Sequence, residues 1–303
     1  MKELGYERRF REWAAREQVR FDRLTYARAG GNTVAYRLSP PARPRGVIVA
    51  SHGAGNDALF AFVGLFKALL LRGYEVFTFD LDGHGRLSTT EFSAAEAGTA
   101  VIHAAEQSKA GERGLPLHLI GVSLGGSLLA YSLPSLEAAS ATIIAAPLRI
   151  DFTWRSVVRE LGFGSLRSLW RERGDYGLTG LVPAFGPFKR SLYPIRMASG
   201  GDGGFGYIEE LNRALHQLQP ERCAAGAEIP VLLCYGERDL TAPPSDGERL
   251  NGVLQRSVLR ISSAQTHLSM AVAEETISAV LQWIERNNEP RASAPSHRKG
   301  RQR

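Results

Sequence analysis

Three side chains in this sequence have the types and the order needed to break an acyl bond by nucleophilic attack. Ser123 stands in Gly121-Val122-Ser123-Leu124-Gly125, between an apolar run (Leu117-His118-Leu119-Ile120) and a stretch with helical patterning (Ser127-Leu128-Leu129-Ala130-Tyr131). A strand that reverses sharply into a helix needs small residues two places before and two places after its corner, because a Cβ there would collide with the turn; both are Gly here. Such a turn lifts the hydroxyl above the sheet at the N-terminus of the helix, where the helix dipole favours negative charge. The same five residues also fit a plain turn, so the reading depends on a base, an acid and an oxyanion site elsewhere.

The base is expected at His267, in Ala264-Gln265-Thr266-His267-Leu268. Of the seven histidines it alone follows the last strand-like run and opens the last helical stretch. The acid is expected at Asp239, where a strand-like run ends in Gly236-Glu237-Arg238-Asp239; Glu237 and Asp151 compete for the role. A serine hydroxyl is a weak nucleophile at neutral pH, so a neutral imidazole must take its proton and return it to the leaving group. A buried carboxylate would fix the imidazole tautomer and stabilise the imidazolium. After the first buried strand comes Ser51-His52-Gly53-Ala54-Gly55-Asn56-Asp57, in which the N–H of Ala54, with that of Leu124, is expected to form an oxyanion hole. Two preorganised donors aimed at a developing oxyanion are worth roughly 3 kcal/mol each. The alternative is a plain Gly-rich turn with a structural His52; no P-loop or dinucleotide fingerprint accompanies it. Asp80, Asp82 and His84, in Phe79-Asp80-Leu81-Asp82-Gly83-His84-Gly85, match no metal-ligand spacing and read as a structural turn.

These groups need a scaffold, and the patterning supplies one. Residues 1–19 read as a polar helical segment lying on the surface. A hairpin follows around Ala29-Gly30-Gly31-Asn32, and apolar runs recur at about 47–51, 75–80, 117–122, 142–146, 230–235 and 257–261. Helical stretches at about 58–72, 91–110, 124–135, 246–255 and 269–287 separate them. Alternating strand and helix implies an α/β fold: a mostly parallel eight-stranded sheet, helices on both faces, and chemistry at the C-terminal strand ends. The rhythm breaks between Pro147 and Pro230, a length too great for a connection. Residues 148–226, rich in Gly and aromatics, are therefore expected to be an inserted cap on a core of 20–147 and 227–288, with Gly200-Gly201-Asp202-Gly203-Gly204 as its hinge or a disordered piece.

The composition is that of an ordinary globular chain: 303 residues, 44% hydrophobic and 22% charged. The N-terminus carries both charges ahead of any apolar run, unlike a signal peptide or membrane span, so a cytoplasmic location is expected. Two cysteines make no disulfide framework, and Cys234 reads as a small buried hydrophobe. The formal charge is +6, but five Arg and Lys against Glu289 place +4 of it in 289–303, leaving +2 elsewhere. That segment reads as a disordered basic tail, capable of weak contact with acidic surfaces; nucleic acid is not expected as a partner.

Taken together, Ser-His-Gly-Ala-Gly (Ser51–Gly55), Asp-Gly-His-Gly (Asp82–Gly85), Gly-Val-Ser-Leu-Gly-Gly (Gly121–Gly126), Gly-Glu-Arg-Asp (Gly236–Asp239) and a His after the last strand resemble the α/β-hydrolase superfamily. The resemblance is strongest to its monoacylglycerol lipase, lysophospholipase and serine aminopeptidase group, over about residues 30–287 apart from the cap. It implies the α/β-hydrolase fold, Ser123 as nucleophile, Asp239 as acid, His267 as base, Ala54 and Leu124 as oxyanion donors, and no cofactor. Two features depart from the group. Its loop serine follows the Gly-His-Gly turn with one residue between, whereas Arg86 and Leu87 both precede Ser88 here; and the cap carries no landmark of the group. The expected activity is that of a serine esterase: hydrolysis of a carboxylic ester or thioester of a hydrophobic acid through an acyl-enzyme. The alternatives are acyl transfer by the same three residues and a non-catalytic binding protein on this scaffold.

Overall fold

The computed structural model describes residues 5–60, 62–85, 87–150, 195–198 and 206–288. Its eight strands are β1 (Arg20–Arg28), β2 (Gly31–Ser39), β3 (Val47–Ser51), β4 (Glu75–Phe79), β5 (Leu117–Val122), β6 (Ser140–Ile144), β7 (Val231–Gly236) and β8 (Ser257–Ser262). They form one sheet in the order β1-β2-β4-β3-β5-β6-β7-β8. The hairpin pair and its junction with β4 are antiparallel; every other pairing is parallel. The chain thus forms the mostly parallel eight-stranded sheet that its patterning implies.

The continuous apolar runs have a physical cause. Every residue of β3, β4, β6 and β7 is buried, and successive side chains point to opposite faces, so both faces of the central sheet are covered. The outer strands β1 and β8 mix exposed and half-buried positions instead. Helices α2 (Val63–Leu71), α3 (Ala94–Ser108) and α4 (Leu124–Ser132) follow β3, β4 and β5. The Ser93 side chain caps α3 by accepting from the Glu96 N–H.

Three details depart from the sequence reading. Helix α1 (Gly5–Arg16) does not simply lie on the surface: Tyr6, Phe10, Trp13 and Ala14, at i, i+4, i+7 and i+8, are buried in the main core. Phe10 stacks at a tilt on Phe21, with 6.0 Å between ring centroids. Strand β6 begins at Ser140, ahead of its apolar run, because the Ser140 hydroxyl is satisfied by His118 Nδ1 at 2.8 Å. The last helical stretch is two helices, α8 (His267–Met270) and α9 (Glu274–Asn287), since Ala273 is extended at φ −68° and ψ 131°.

Within 148–226, α5 (Gly206–Leu218) lies against α3 and α6 (Pro220–Ala224) against α4. Three side chains tie this stretch down. Asp246, on α7 (Pro244–Val253), accepts from the Leu148 N–H at 2.9 Å. Asn212 exchanges two bonds with the Ile150 backbone, at 2.7 and 2.8 Å. Arg196 donates to the carbonyls of His84, Gly85 and Thr90 at 2.9–3.1 Å. The remainder of the expected cap, its Gly200–Gly204 segment and Asp151 included, lies outside the described residues, as do Arg86 and the basic tail. Among the described residues no helix is long and apolar enough to cross a membrane.

Candidate active site

The turn after β5 has the strain its glycines imply. Ser123 sits at φ 52° and ψ −122°, a region L-residues rarely occupy, at a cost of about 1–3 kcal/mol. A Cβ on Gly121 would lie 2.5 Å from the Gly125 carbonyl oxygen, and one on Gly125 would lie 2.4 Å from that of Ser51. Only glycine allows these three chain segments to pass so closely. The turn is held from outside by the Ser123 N–H donating to Ile144 O of β6 at 2.9 Å, and the Gly125 N–H donating to His52 O at 3.0 Å.

His267 and Asp239 arrive together because their two loops are bonded to each other. Beyond β7 and β8, the Glu237 N–H donates to Ser262 O and the Arg238 N–H to Gln265 O, both at 3.0 Å. Asp239 is buried; its Oδ1 accepts from the N–H groups of Thr241 and Ala242, both at 2.8 Å, leaving Oδ2 for His267 Nδ1 at 2.8 Å. Thr266 and Ser269 form a capping box that opens α8 and sets His267 at its first position. From there His267 Nε2 lies 2.9 Å from Ser123 Oγ. Ser123, His267 and Asp239, expected from the sequence as a unit, thus lie in one hydrogen-bonded line. Glu237 is exposed and takes no part in it.

The loop Ser51–Gly55 passes over the serine: a Cβ on Gly53 would stand 3.0 Å from Ser123 Cβ and 3.6 Å from Oγ. A turn closed by Asn56 N–H to Gly53 O at 3.3 Å, with Gly55 at φ 77°, presents Ala54. Among the described residues, neither the Ala54 nor the Leu124 N–H donates to a backbone carbonyl. His52 underlies this loop. Its Nε2 accepts from the Leu81 N–H at 2.9 Å, so the proton is on Nδ1, which donates to Gly53 O at 2.7 Å. Burial pushes its pKa down to about 4, so it stays neutral.

The Asp80–His84 segment forms the floor behind that loop. His84 packs edge-on to His52, and burial, then His52, lowers its pKa to about 3. Asp82 pairs with Arg28 at 2.8 Å, both side chains fully enclosed. Asp80 accepts from the Ala58 N–H at 3.0 Å and from Ser88 Oγ at 2.8 Å, while Ser88 accepts from the Val34 N–H. Burial first, and Asp57 second, raise the Asp80 pKa to about 7. Ser88, displaced along the sequence by Leu87 and its neighbour, is therefore a buried pin between Asp80 and β2. Among the described residues no group of three or more His, Cys, Asp and Glu side chains is placed to hold a metal. Cys234 is buried, with its thiol pushed up to about 12 by burial.

Long-range polar contacts escaped the sequence reading. Arg28–Asp82 and Tyr6–Asp57 join positions 54 and 51 apart, and no local pattern links them. The i, i+4, i+7, i+8 stripe of α1 was a usable signal that its apolar face is buried; the hydrogen-bond partner of Tyr6 was not readable.

A sheet of this order, with a strained serine after its fifth strand and a His–Asp pair after its last two, defines the α/β-hydrolase architecture. The chain belongs to the alpha/beta hydrolase family, whose sequence pattern matches residues 47–275. No curated protein matches the sequence. Among solved structures it is similar to a lipase in its open form (16% identity, TM-score 0.62, covering 90% of this chain and 100% of that one). It is also similar to the Paleococcus ferrophilus monoacylglycerol lipase (21%, TM-score 0.58, 84% and 99%) and to naproxen esterase from Bacillus subtilis (16%, TM-score 0.55, 94% and 100%). At these identities the likeness is one of fold.

Proposed function

We propose that the chain is a serine hydrolase that cleaves a carboxylic ester or thioester of a hydrophobic acid through an acyl-enzyme. The observation that carries this reading is the line from Ser123 Oγ to His267 Nε2 at 2.9 Å and from His267 Nδ1 to Asp239 Oδ2 at 2.8 Å. In this reading Ser123 Oγ attacks the acyl carbon while its proton passes to His267 Nε2. The carbonyl oxygen takes the negative charge and is met by the Ala54 and Leu124 N–H groups. The tetrahedral intermediate collapses, and the imidazolium returns the proton to the departing alkoxide or thiolate. A water then repeats the sequence on the acyl-enzyme, giving up its proton to His267 and releasing the acid. Asp239 stays ionised throughout, holding the Nδ1–H tautomer. None of these steps uses a cofactor.

Ester substrates are favoured by the similar structures, a lipase, a monoacylglycerol lipase and an esterase. A hydrophobic acyl group is favoured by the aromatic-rich sequence of the 148–226 insertion, since small-molecule sites are mostly apolar. The test is labelling by a fluorophosphonate and turnover of p-nitrophenyl esters of increasing acyl length. Ser123→Ala should abolish both, and labelling that survives the substitution would sink the assignment.

A further inference from the structure

We infer that Tyr6, on the N-terminal helix, is a positioning residue for the loop that presents the Ala54 N–H, acting through Asp57. This rests on the catalytic reading proposed above and adds to it a part of the chain that precedes the matched family region, which begins at residue 47.

The Tyr6 hydroxyl donates to Asp57 Oδ2, and the Tyr6 ring meets Phe60 edge-on, at 5.5 Å between centroids. The other oxygen of the same carboxylate, Oδ1, accepts from the N–H groups of Leu59 and Phe60 at 3.0 and 2.9 Å. Asp57 thus turns the chain at the far end of the loop, and Tyr6 fixes the rotation of the carboxylate that makes the turn. The neighbouring Ala58 is held on both its backbone groups, its N–H by Asp80 and its carbonyl by Thr78 Oγ1 at 2.7 Å. At the near end, His52 and Gly125 hold the backbone against the elbow. Between these fixed ends stand only Gly53, Ala54, Gly55 and Asn56, closed by one 3.3 Å bond and containing two glycines. A segment so short and permissive takes its geometry from its anchors. Release of the Asp57 end would let the Ala54 N–H drift from the position the oxyanion occupies. Positioning of this kind acts on the transition state, so it is read in kcat rather than KM.

Helix α1 has packing enough of its own to stay in place without this hydroxyl. Phe10, Trp13 and Ala14 are buried, and Lys67 lies over the Trp13 ring at 5.3 Å. Tyr6→Phe therefore removes the tether while leaving the ring on Phe60. The experiment compares steady-state kinetics of wild type, Tyr6→Phe and Phe10→Leu on one p-nitrophenyl ester, at a temperature where all three are folded by circular dichroism. Tyr6→Phe should lower kcat about tenfold and leave KM within roughly a factor of two, since small misplacements of catalytic groups cost on that scale. Phe10→Leu, which loosens the same helix without touching Asp57, should lower the melting temperature and leave kcat unchanged. A Tyr6→Phe enzyme with wild-type kcat, or one whose loss Phe10→Leu reproduces, overturns the inference. Should Tyr6→Phe fail to fold, Asp57→Asn serves instead: its oxygen keeps the Leu59 and Phe60 turn, its NH2 replaces the oxygen that accepts from the Tyr6 hydroxyl, and kcat should fall several-fold; unchanged kcat there overturns the inference. A wild-type chain that takes no fluorophosphonate and turns over no ester overturns the catalytic reading itself. An active wild type with an insensitive Tyr6 leaves that reading standing and removes only this one.

Discussion

Asp80 offers a test of the buried floor that does not depend on the reaction. Its carboxyl is enclosed, lies against Ser88 Oγ and the Ala58 N–H, and has a pKa raised from 3.8 to about 7, by burial first and by Asp57 second. The folded chain therefore holds this proton more tightly than the unfolded chain does. Its contribution to stability is fully present below pH 3.8 and is lost as pH rises toward 7, after which it changes no further. Linkage between those two values gives a loss of roughly 2–3 kcal/mol between pH 5 and pH 8, out of roughly 4 kcal/mol in all. Asp80→Asn cannot ionise, yet can still accept from Ala58 and donate to Ser88. Urea unfolding of both proteins at pH 5 and pH 8 isolates the group, because every other titrating residue is common to the pair. The wild type should lose roughly 2–3 kcal/mol more than the variant over that interval. Equal pH dependence in the two would refute the reasoning, and so would a larger loss in the variant.

Two further substitutions probe the proposed role of Asp239 and the buried ion pair. Asp239→Asn keeps the bonds from Thr241 and Ala242 but presents an amide N–H to His267 Nδ1, forcing the proton onto Nε2, which faces Ser123. The proposed mechanism then predicts a fall in kcat of about 10⁴ with an unchanged melting temperature, and a kcat within tenfold of wild type would remove Asp239 from its role. Arg28→Leu leaves the Asp82 carboxylate enclosed without its partner and should cost about 3–5 kcal/mol by denaturant titration, part of it recovered in Arg28→Leu/Asp82→Leu. A double variant no more stable than the single one would show that the isolated charge is not the cause.

The sheet was readable because burial of both faces writes itself into the sequence as unbroken apolar runs, as in Val47-Ile48-Val49-Ala50 and Val231-Leu232-Leu233. Where a polar side chain finds a partner across the fold, that signal disappears, and Ser140, satisfied by His118, hid the first turn of β6. Ser123 was readable because the steric demands of its turn fall on immediate neighbours, Gly121 and Gly125. Asp239 and His267 were readable only by position, each at the end of a strand, with Glu237 open as a rival until the fold left it exposed. The surroundings of the site are another matter. Asp80, Asp82 and His84 read as a turn, and nothing adjacent announces that Arg28, Ser88 and Arg196 complete their bonding. Such long-range polar pairs depend on which segments the topology brings together.

The strand order has one more consequence. Ser123 hangs from β5 and Asp239 from β7, strands walled in on nearly every residue, while His267 follows β8, which ends the sheet and has Val258 and Ile261 exposed. Rim elements open locally at lower free energy than the centre. The chain should therefore pass, under mild denaturant, through a population whose core amides remain protected from hydrogen exchange while His267 has left Ser123. In such a population the line from Ser123 through His267 to Asp239 is broken before the fold is.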